Sequence, residues 1–265
     1  MILTRENYHS TAANIHYLSV SQFNSFLSCE AATIAELSGE WAPEKPAAFL
    51  VGSFVHAAIE GRDALNDFIS KSHPADIYTK QGKLRSEFEQ ANEMITTLQK
   101  DPFAMMLLTG QKEVIMTAEL FGVPWKIRMD VYVPGKRIVD LKTTKSIQEL
   151  QWSVEHGGRV SFIEQYEYFR QVAVYSEVER LNVGSENWLD FYMVAVSKEK
   201  VPDKEVIELT DHDRLQVELA KIGAHMPRIV AVKSGRVEPF RCGRCDYCLS
   251  TKRLTRAIHY SEIGA

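Results

Sequence analysis

The sequence lacks the features that mark membrane, secreted or disordered proteins. Its 265 residues contain no run of 18 or more apolar side chains, which excludes a transmembrane helix. Its first residues do not follow the basic, apolar and small-residue order of a secretory signal. Low-complexity stretches are missing, and a 10% aromatic content argues against disorder. We therefore expect a globular protein of the cytoplasm.

The sequence also has no excess of positive charge. Its 31 lysines and arginines face 35 aspartates and glutamates, giving a formal net charge of −4. Proteins that coat nucleic acid draw their affinity from basic side chains that neutralise phosphates, so this class is excluded. A local basic groove, or an active site whose own carboxylates contribute to the negative total, stays compatible with the composition.

Cysteine is scarce, and its placement is informative. Three of the four cysteines form the run Cys242-Gly-Arg-Cys245-Asp-Tyr-Cys248, and Cys29 lies near the start. Disulfides are rare in the cytoplasm, so the run predicts a metal centre. Its spacing matches the first three ligands of a ferredoxin-type [4Fe–4S] cluster, with zinc as the alternative. Cys29 is either the fourth ligand or a buried core thiol.

Hydrophobic periodicity predicts an α/β protein of one domain, residues 1–265, with a core at about 47–235. The predicted fold is a central mixed sheet flanked by helices, with a helical N-terminus and a Cys-rich C-terminal segment on a loop outside the core. Residues 62–82 read as irregular. The predicted strands are 113–121, 123–133, 137–142, 187–196 and 206–209, and the helices after the first strand are 163–181 and 215–232.

The segment that carries chemistry spans two adjacent predicted strands. Asp130 lies in one strand, and Asp140-Leu-Lys142 ends the next, so a hairpin can bring both carboxylates to one edge. Two close carboxylates suit Mg²⁺ or Mn²⁺, and a neighbouring lysine suits phosphodiester hydrolysis. The alternative is that these residues merely line an exposed strand face.

The order of motifs resembles the PD-(D/E)xK nuclease superfamily. Asp130 and Asp140-x-Lys142 match its signature, and the features around them match its RecB-like exonuclease branch. That branch carries Gly-x-x-x-His-x-x-x-Glu on a helix before the core, which here is Gly52 to Glu60 with His56 in the middle. It also carries Gln-x-x-x-Tyr after the lysine, here Gln171 and Tyr175.

The resemblance implies a restriction-endonuclease-like core and a role for each matched residue. His56, Asp130, Asp140 and the carbonyl of Leu141 would bind one or two Mg²⁺ or Mn²⁺ ions, and Lys142 would be the catalytic lysine. Gln171 and Tyr175 would steady the active-site strand or contact DNA phosphate. Two further carboxylates, Glu60 and Glu119, are second-tier candidates, and Glu119 is expected near the metals rather than on them.

Some members of this branch, of the AddB and Cas4 types, hold a [4Fe–4S] cluster with one cysteine before the core and three after it. Cys29, Cys242, Cys245 and Cys248 follow that layout. The resemblance therefore implies a structural cluster that closes the domain like a clasp. The spacing between Cys245 and Cys248 is shorter than usual in these proteins, which keeps zinc as the alternative.

Over nearly its full length the sequence looks most like the RecE (exonuclease VIII) nucleases of phages and prophages. This likeness implies a 5′→3′ exonuclease on linear duplex DNA that leaves 3′ single strands. It also implies a single-strand annealing partner of the RecT type and a homo-oligomeric ring, expected to be a tetramer. Four basic residues that flank the active-site strands and helix are expected to contact DNA: Lys126, Arg128, Lys145 and Arg170.

Two other functions stay open at this stage. One is a Cas4-like enzyme that trims DNA ends, or an endonuclease. The other is an inactive DNA-binding scaffold with a metal knot at its C-terminus. The second is disfavoured because a decayed site would have lost an acidic residue or the lysine, and Asp130, Asp140 and Lys142 are all present.

Overall fold

The computed structural model describes residues 1–43 and 47–262. The helices are α1 (Thr11–His16), α2 (Val20–Ser28), α3 (Glu30–Ser38), α4 (Ala47–Glu60), α5 (Arg62–Lys71), α6 (Pro74–Ile77), α7 (Ser86–Gln99), α8 (Pro102–Leu107), α9 (Phe162–Gln165), α10 (Tyr168–Val183), α11 (His212–Lys233), α12 (Asp246–Ser250) and a final 3₁₀ turn (Tyr260–Glu262). The strands are β1 (Gln111–Leu120), β2 (Val123–Val133), β3 (Arg137–Thr144), β4 (Gln151–Ser153), β5 (Gly158–Val160), β6 (Asp190–Ser197) and β7 (Lys204–Glu208).

A five-stranded mixed sheet forms the centre of the molecule, in the order β1-β2-β3-β6-β7. The first three strands are an antiparallel meander. Strand β6 then pairs parallel to β3, and β7 returns antiparallel at the edge. The parallel step requires a crossover, and α10 lies within it. The predicted mixed α/β fold is confirmed.

Helices cover both faces of this sheet because side chains alternate along each strand. Within β3, Val139 and Leu141 pack into a cluster with α4, α7 and α8. Ile138, which points the other way, packs into a cluster with α2, α10 and α11. The sheet is therefore buried between two apolar layers, and polar groups on its central strands need partners or a ligand.

The predicted meander agrees closely with β1 to β3, but three expectations were wrong. Residues 62–82 are not irregular throughout, since α5 and α6 form there with apolar residues packed against α4. The predicted helix 163–181 is broken at Glu167, whose backbone is left-handed (φ 53°). The cysteine run is not entirely a loop: Cys242 and Cys245 precede α12 on a loop, but Cys248 is buried within that helix.

The hairpin of β4 and β5 has no counterpart among the predicted elements. It forms a separate two-stranded sheet, and in the sequence it lies between β3 and α9. Among the helices of the described residues, none has the length and apolar character needed to cross a bilayer.

Candidate active site and cysteine centre

Strands β2 and β3 separate where their two aspartates occur. Backbone pairing between these strands runs from Val133 opposite Arg137 to Val131 opposite Val139. Asp130 comes immediately beyond the last paired position, and its Oδ2 accepts a hydrogen bond from the Leu141 backbone N–H at 2.8 Å. The carboxylate thus takes the place of a backbone partner, which fixes it between the strands.

The second aspartate is tied to the lysine two residues later. Lys142 Nζ donates to Asp140 Oδ1 at 3.0 Å and lies 2.8 Å from Oδ2. Gln171 of α10 donates its side-chain N–H to Asp140 Oδ1 at 2.7 Å. The Tyr168 ring lies 5.2 Å from the ammonium group. The predicted association of Asp140, Lys142 and Gln171 is therefore present.

Tyr175, one turn after Gln171, is part of the packing behind the site. Its ring meets the Phe191 ring edge-on, with 6.5 Å between centroids. Burial, together with nearby Asp140 and other acidic groups, raises the pKa of Tyr175 well above its ordinary value. Tyr175 is therefore a neutral residue packed against β6, and its predicted role stays a prediction.

Helix α4 brings His56 to Asp130. His56 Nδ1 lies 3.5 Å from Asp130 Oδ2. The helix approaches β3 closely at Gly52, where an added Cβ would lie 3.3 Å from Thr143 Oγ1. Glycine at this position thus lets the histidine-bearing helix pack tightly on the active-site strand.

Glu113 is a site residue that the motifs did not reveal. One ligand atom each from His56, Glu113 and Asp130 lie within 4.8 Å of one another. In the β1–β2 register, Glu113 falls between Lys112 opposite Val131 and the next pair along, so it faces Asp130. Its backbone is left-handed (φ 54°), an uncommon conformation for a residue other than glycine.

The sequence held a signal for this residue. The turn at residues 121–122 sets the antiparallel register, and counting back from Leu120 opposite Val123 brings position 113 opposite position 130. Glu119, the residue expected near the metals, instead lies opposite Pro124 at the turn. Six residues of strand correspond to roughly 20 Å, so the expectation for Glu119 was wrong.

The site concentrates negative charge that its cations only partly balance. Burial acts to raise the pKa of Asp130, but His56, Lys142 and the Leu141 N–H outweigh it and lower the pKa to about 2. Burial raises the pKa of Asp140 against the pull of Lys142. Burial also raises the pKa of Glu113, and Arg128 opposes this from 2.9 Å away. Carboxylates placed so close together favour a bound cation.

The donor set fits a divalent cation. Carboxylate oxygens with one imidazole suit Mg²⁺ or Mn²⁺. Beyond the effect of burial, the Asp130 charge raises the pKa of Glu113 within the close group, so the two carboxylates repel each other. A cation bound between them would relieve this repulsion. Of the predicted ligands, His56 and Asp130 are in the close group with Glu113, whereas Asp140 contacts Lys142 and Gln171.

Two of the four basic residues expected to contact DNA are structural. Lys126 is only 2% exposed, and its Nζ donates to Tyr8 O at 2.5 Å and to Asn14 Oδ1 at 2.6 Å. Arg170 is also buried and donates to Asn24 Oδ1 at 2.8 Å. The expectation was wrong for both, because a buried, hydrogen-bonded cation cannot reach a phosphate on the surface.

The other three predicted residues around the site, Arg128, Lys145 and Glu60, have surroundings compatible with the roles predicted for them. Arg128 is half-buried against Glu113, and Lys145 is 77% exposed beside Glu149. Glu60 pairs with Arg5 and raises the pKa of Glu113. Contact with DNA stays a prediction for Arg128 and Lys145, and so does the second-tier role of Glu60.

The four cysteines converge although 213 residues separate the first from the second. Their sulfur atoms lie within 4.8 Å of one another, with 3.6 Å between Cys29 and Cys248 and 3.9 Å between Cys242 and Cys248. All four are free thiols. Backbone N–H groups, of Arg244 first and Cys245 next, lower the pKa of Cys242 to about 6, which favours the thiolate that metals bind.

An ion pair beside Cys29 holds the two chain ends together. Arg228 of α11 donates to both carboxylate oxygens of Glu30, at 2.9 and 2.7 Å. The Phe240 N–H donates to Glu30 Oε2 at 2.7 Å, and Ala31 N–H donates to Phe240 O at 3.0 Å. The segment that leads into the cysteine run is therefore fixed to the start of α3.

Comparison with known proteins agrees with this architecture. The PDDEXK-like domain of unknown function DUF3799 matches residues 19–251. A crystal structure from Eubacterium rectale, whose protein bears the provisional name of an exonuclease, is 40% identical, with a TM-score of 0.93 over 100% of this chain and 99% of that one. None of the curated proteins matches the chain. The protein therefore belongs to the PDDEXK-like family DUF3799 and is a metal-dependent nuclease of the PD-(D/E)xK type.

Proposed function

We propose that this nuclease is an exodeoxyribonuclease that degrades linear duplex DNA with Mg²⁺ or Mn²⁺. The observation that carries the proposal is the convergence of His56, Glu113 and Asp130 beside the Asp140–Lys142 pair. The provisional name of the 40% identical protein supports exonuclease rather than endonuclease activity.

In this proposal His56, Glu113 and Asp130 hold the cation, with Asp140 and the Leu141 carbonyl as further ligands. The chemistry that a divalent cation supplies in such a site is charge neutralisation on the phosphate and activation of water. Since the three side chains come from α4, β1 and β2, the ion would be gripped by three separate elements.

Lys142 is the cation that stabilises the negative charge developing on the phosphate. Asp140 and the Tyr168 ring hold its ammonium group in place. Burial acts to lower the pKa of Lys142, but the Asp140 and Asp130 carboxylates outweigh it and raise the pKa above the ordinary value, which keeps the lysine protonated. Gln171 orients Asp140 from the opposite side and so limits the rotation of its carboxylate. Lys142 therefore acts as a fixed positive charge rather than as a base.

The finer features rest on the likeness to RecE nucleases. They are 5′→3′ polarity, release of mononucleotides, 3′ single-stranded ends for recombination, a RecT-type annealing partner and a homo-oligomeric ring. A ring would let an acidic chain act on DNA, since basic side chains need only line its inner surface. That residues 1–265 form one nuclease domain also stays a prediction.

We further propose that Cys29, Cys242, Cys245 and Cys248 hold one structural metal centre, either the [4Fe–4S] cluster of the AddB and Cas4 types or Zn²⁺. Four thiolates at the zinc–sulfur distance of about 2.3 Å stand roughly 3.8 Å apart around a tetrahedral ion. The sulfur separations of 3.6 and 3.9 Å fit that arrangement as they stand. A four-iron cluster is larger and requires the thiolates to move apart.

The activity is tested with end-labelled linear duplex and covalently closed circular DNA in Mg²⁺. We expect acid-soluble nucleotides from the linear substrate, none from the circle, and none in EDTA. Lys142→Ala should lower kcat about 10²–10³-fold. The matched control is Lys136→Ala, which removes an exposed lysine at the turn between β2 and β3 and should leave kcat unchanged.

Three results would separate the alternatives. Cleavage of the closed circle would identify an endonuclease. Equal background release by the wild type and by Lys142→Ala would point to the inactive scaffold. Duplexes blocked at one 5′ or one 3′ end would fix the polarity. For the cysteine centre, a brown protein with a shoulder near about 400 nm under anaerobic purification identifies iron–sulfur, and a colourless protein with stoichiometric zinc identifies the single ion.

A further inference from the structure

The β4–β5 hairpin presents an aromatic residue and a cation on one exposed face. Trp152 lies directly opposite Arg159 in the hairpin register. Directly opposed side chains in an antiparallel pair point to the same face. Both residues are exposed, and Trp152 is 66% exposed.

A row of aromatic rings connects this region to the catalytic lysine. The Tyr168 ring lies 5.2 Å from Lys142 Nζ, and the Tyr166 ring lies 5.9 Å from that of Tyr168. Tyr166 is half exposed, so the row begins at the buried lysine and ends at the surface. The hairpin contacts α9, the helix that leads directly into Tyr166.

A strained residue fixes the hairpin to this row. Glu167, between the two tyrosines, has a left-handed backbone with φ 53°. Its Oε1 lies 3.2 Å from His156 Nε2 in the hairpin turn, and its Oε2 accepts from Arg170 at 3.4 Å. Strain of this kind persists where the surroundings hold the residue in place, often at functional sites. These contacts hold the hairpin turn against the residue that lies between the two tyrosines.

We propose that the Trp152–Arg159 face, together with Tyr166, stacks the unpaired bases of the DNA strand next to the phosphate being cleaved. This inference rests on the proposed nuclease function. Exposed aromatic rings bind single strands of any sequence because every base offers a flat π-face. Arginine adds a cation that pairs with phosphate and stacks on bases. An end held in this way is separated from its complement before it reaches Lys142.

The test measures binding and cleavage separately. Binding of a labelled duplex with a short unpaired end is followed by anisotropy, with Ca²⁺ in place of Mg²⁺ to slow cleavage. Trp152→Ala should weaken this affinity about tenfold, whereas Trp152→Phe should stay within about twofold of the wild type because it keeps a ring that stacks. Val154→Ala, on the same hairpin with an 88% exposed aliphatic side chain, is the matched control and should bind like the wild type.

Tryptophan fluorescence supplies a second readout that a merely structural role would not change. Bases stacked on Trp152 should quench its emission, and Trp152→Phe should lose that quenching while it keeps the affinity. Unchanged affinity in Trp152→Ala overturns the proposal. A dissociated oligomer with unchanged affinity per subunit also overturns it, because the face is then a contact between copies of the chain.

The two proposals can fail independently. If the wild type cleaves DNA and Trp152→Ala cleaves and binds equally well, the stacking face is wrong and the nuclease function stands. If the wild type binds tailed DNA through Trp152 but releases no nucleotides in Mg²⁺, the proposed function is wrong and the stacking face stands.

Discussion

The two candidate metal centres of this protein are built in opposite ways. The nuclease site gathers oxygen and nitrogen atoms from α4 and the first three strands, and backbone pairing sets much of their spacing. The cysteine centre gathers four sulfur atoms from the two ends of the chain, and no strand pairing connects Cys29 to residues 242–248.

This difference indicates different tasks. Hard ligands in an incompletely balanced, partly open site suit a cation that acts on a phosphate. Four soft thiolates leave no free position on a tetrahedral metal, which is typical of a structural centre. The first centre should therefore control the rate of cleavage, and the second should control whether the chain ends stay together.

The largest effect should come from removing a charge at the nuclease site. Asp130→Asn keeps an oxygen that can accept the Leu141 N–H but loses the negative charge that binds the cation. We expect kcat to fall about a thousandfold, equivalent to roughly 4 kcal/mol, with little change in melting temperature. Asp130→Ala and Asp140→Ala should likewise abolish cleavage. Residual activity above about a tenth of wild type would contradict their role as ligands, since losing one such charge interaction costs at least a hundredfold.

A smaller effect, on stability rather than on the rate of cleavage, is expected from the cysteine centre. Cys248→Ala should release the bound metal and lower the free energy of unfolding by about 3 kcal/mol or more, because metal binding contributes directly to folding. The rate of nucleotide release per folded molecule at low temperature should stay near that of the wild type. Metal analysis, thermal unfolding and single-turnover cleavage on the same sample check all three. A variant as stable as the wild type but unable to cleave DNA would reverse the assignment of the two centres.

The smallest effect should come from the Glu30–Arg228 ion pair beside the cysteine centre. Glu30→Gln removes the charge that Arg228 pairs with, and we expect the free energy of unfolding to fall by about 1–3 kcal/mol. Denaturant unfolding measures this loss. Glu36→Gln, on the exposed face of the same helix, is the control and should leave stability unchanged. If both variants unfold alike, the pair contributes nothing to holding the chain ends.

Parts of the site that lie close in sequence were predictable. Asp130, Asp140 and Lys142 sit on either side of one turn, so strand alternation alone brings them together. Predicting the positions of Gln171 and Tyr175 required only that a helix follow the strand that carries Lys142. Glu113 could have been found by counting from the turn, but its left-handed backbone and its pairing with Arg128 depend on the packed sheet.

The two wrong assignments of DNA-contacting residues share one cause. Lys126 lies on a strand beside the site, and its sequence gives no sign that Tyr8 and Asn14 close over its ammonium group. Arg170 is buried by Asn24 in the same way. All three partners come from the N-terminal segment, more than 100 residues away. Burial of this kind is set by how distant elements pack, which periodicity within one element does not report.

The amino-acid sequence by itself determined the chemistry of this protein: acids and a lysine around one hairpin, a histidine on an earlier helix, and thiols at both ends. These follow from residue type and short spacing, which strand and helix geometry convert directly into position. The tertiary structure alone decided which groups meet across the chain, bringing Cys29 to Cys248 and the turn of the β4–β5 hairpin to Glu167. Proximity between distant segments arises from burying two apolar layers against one sheet, and no local pattern encodes it.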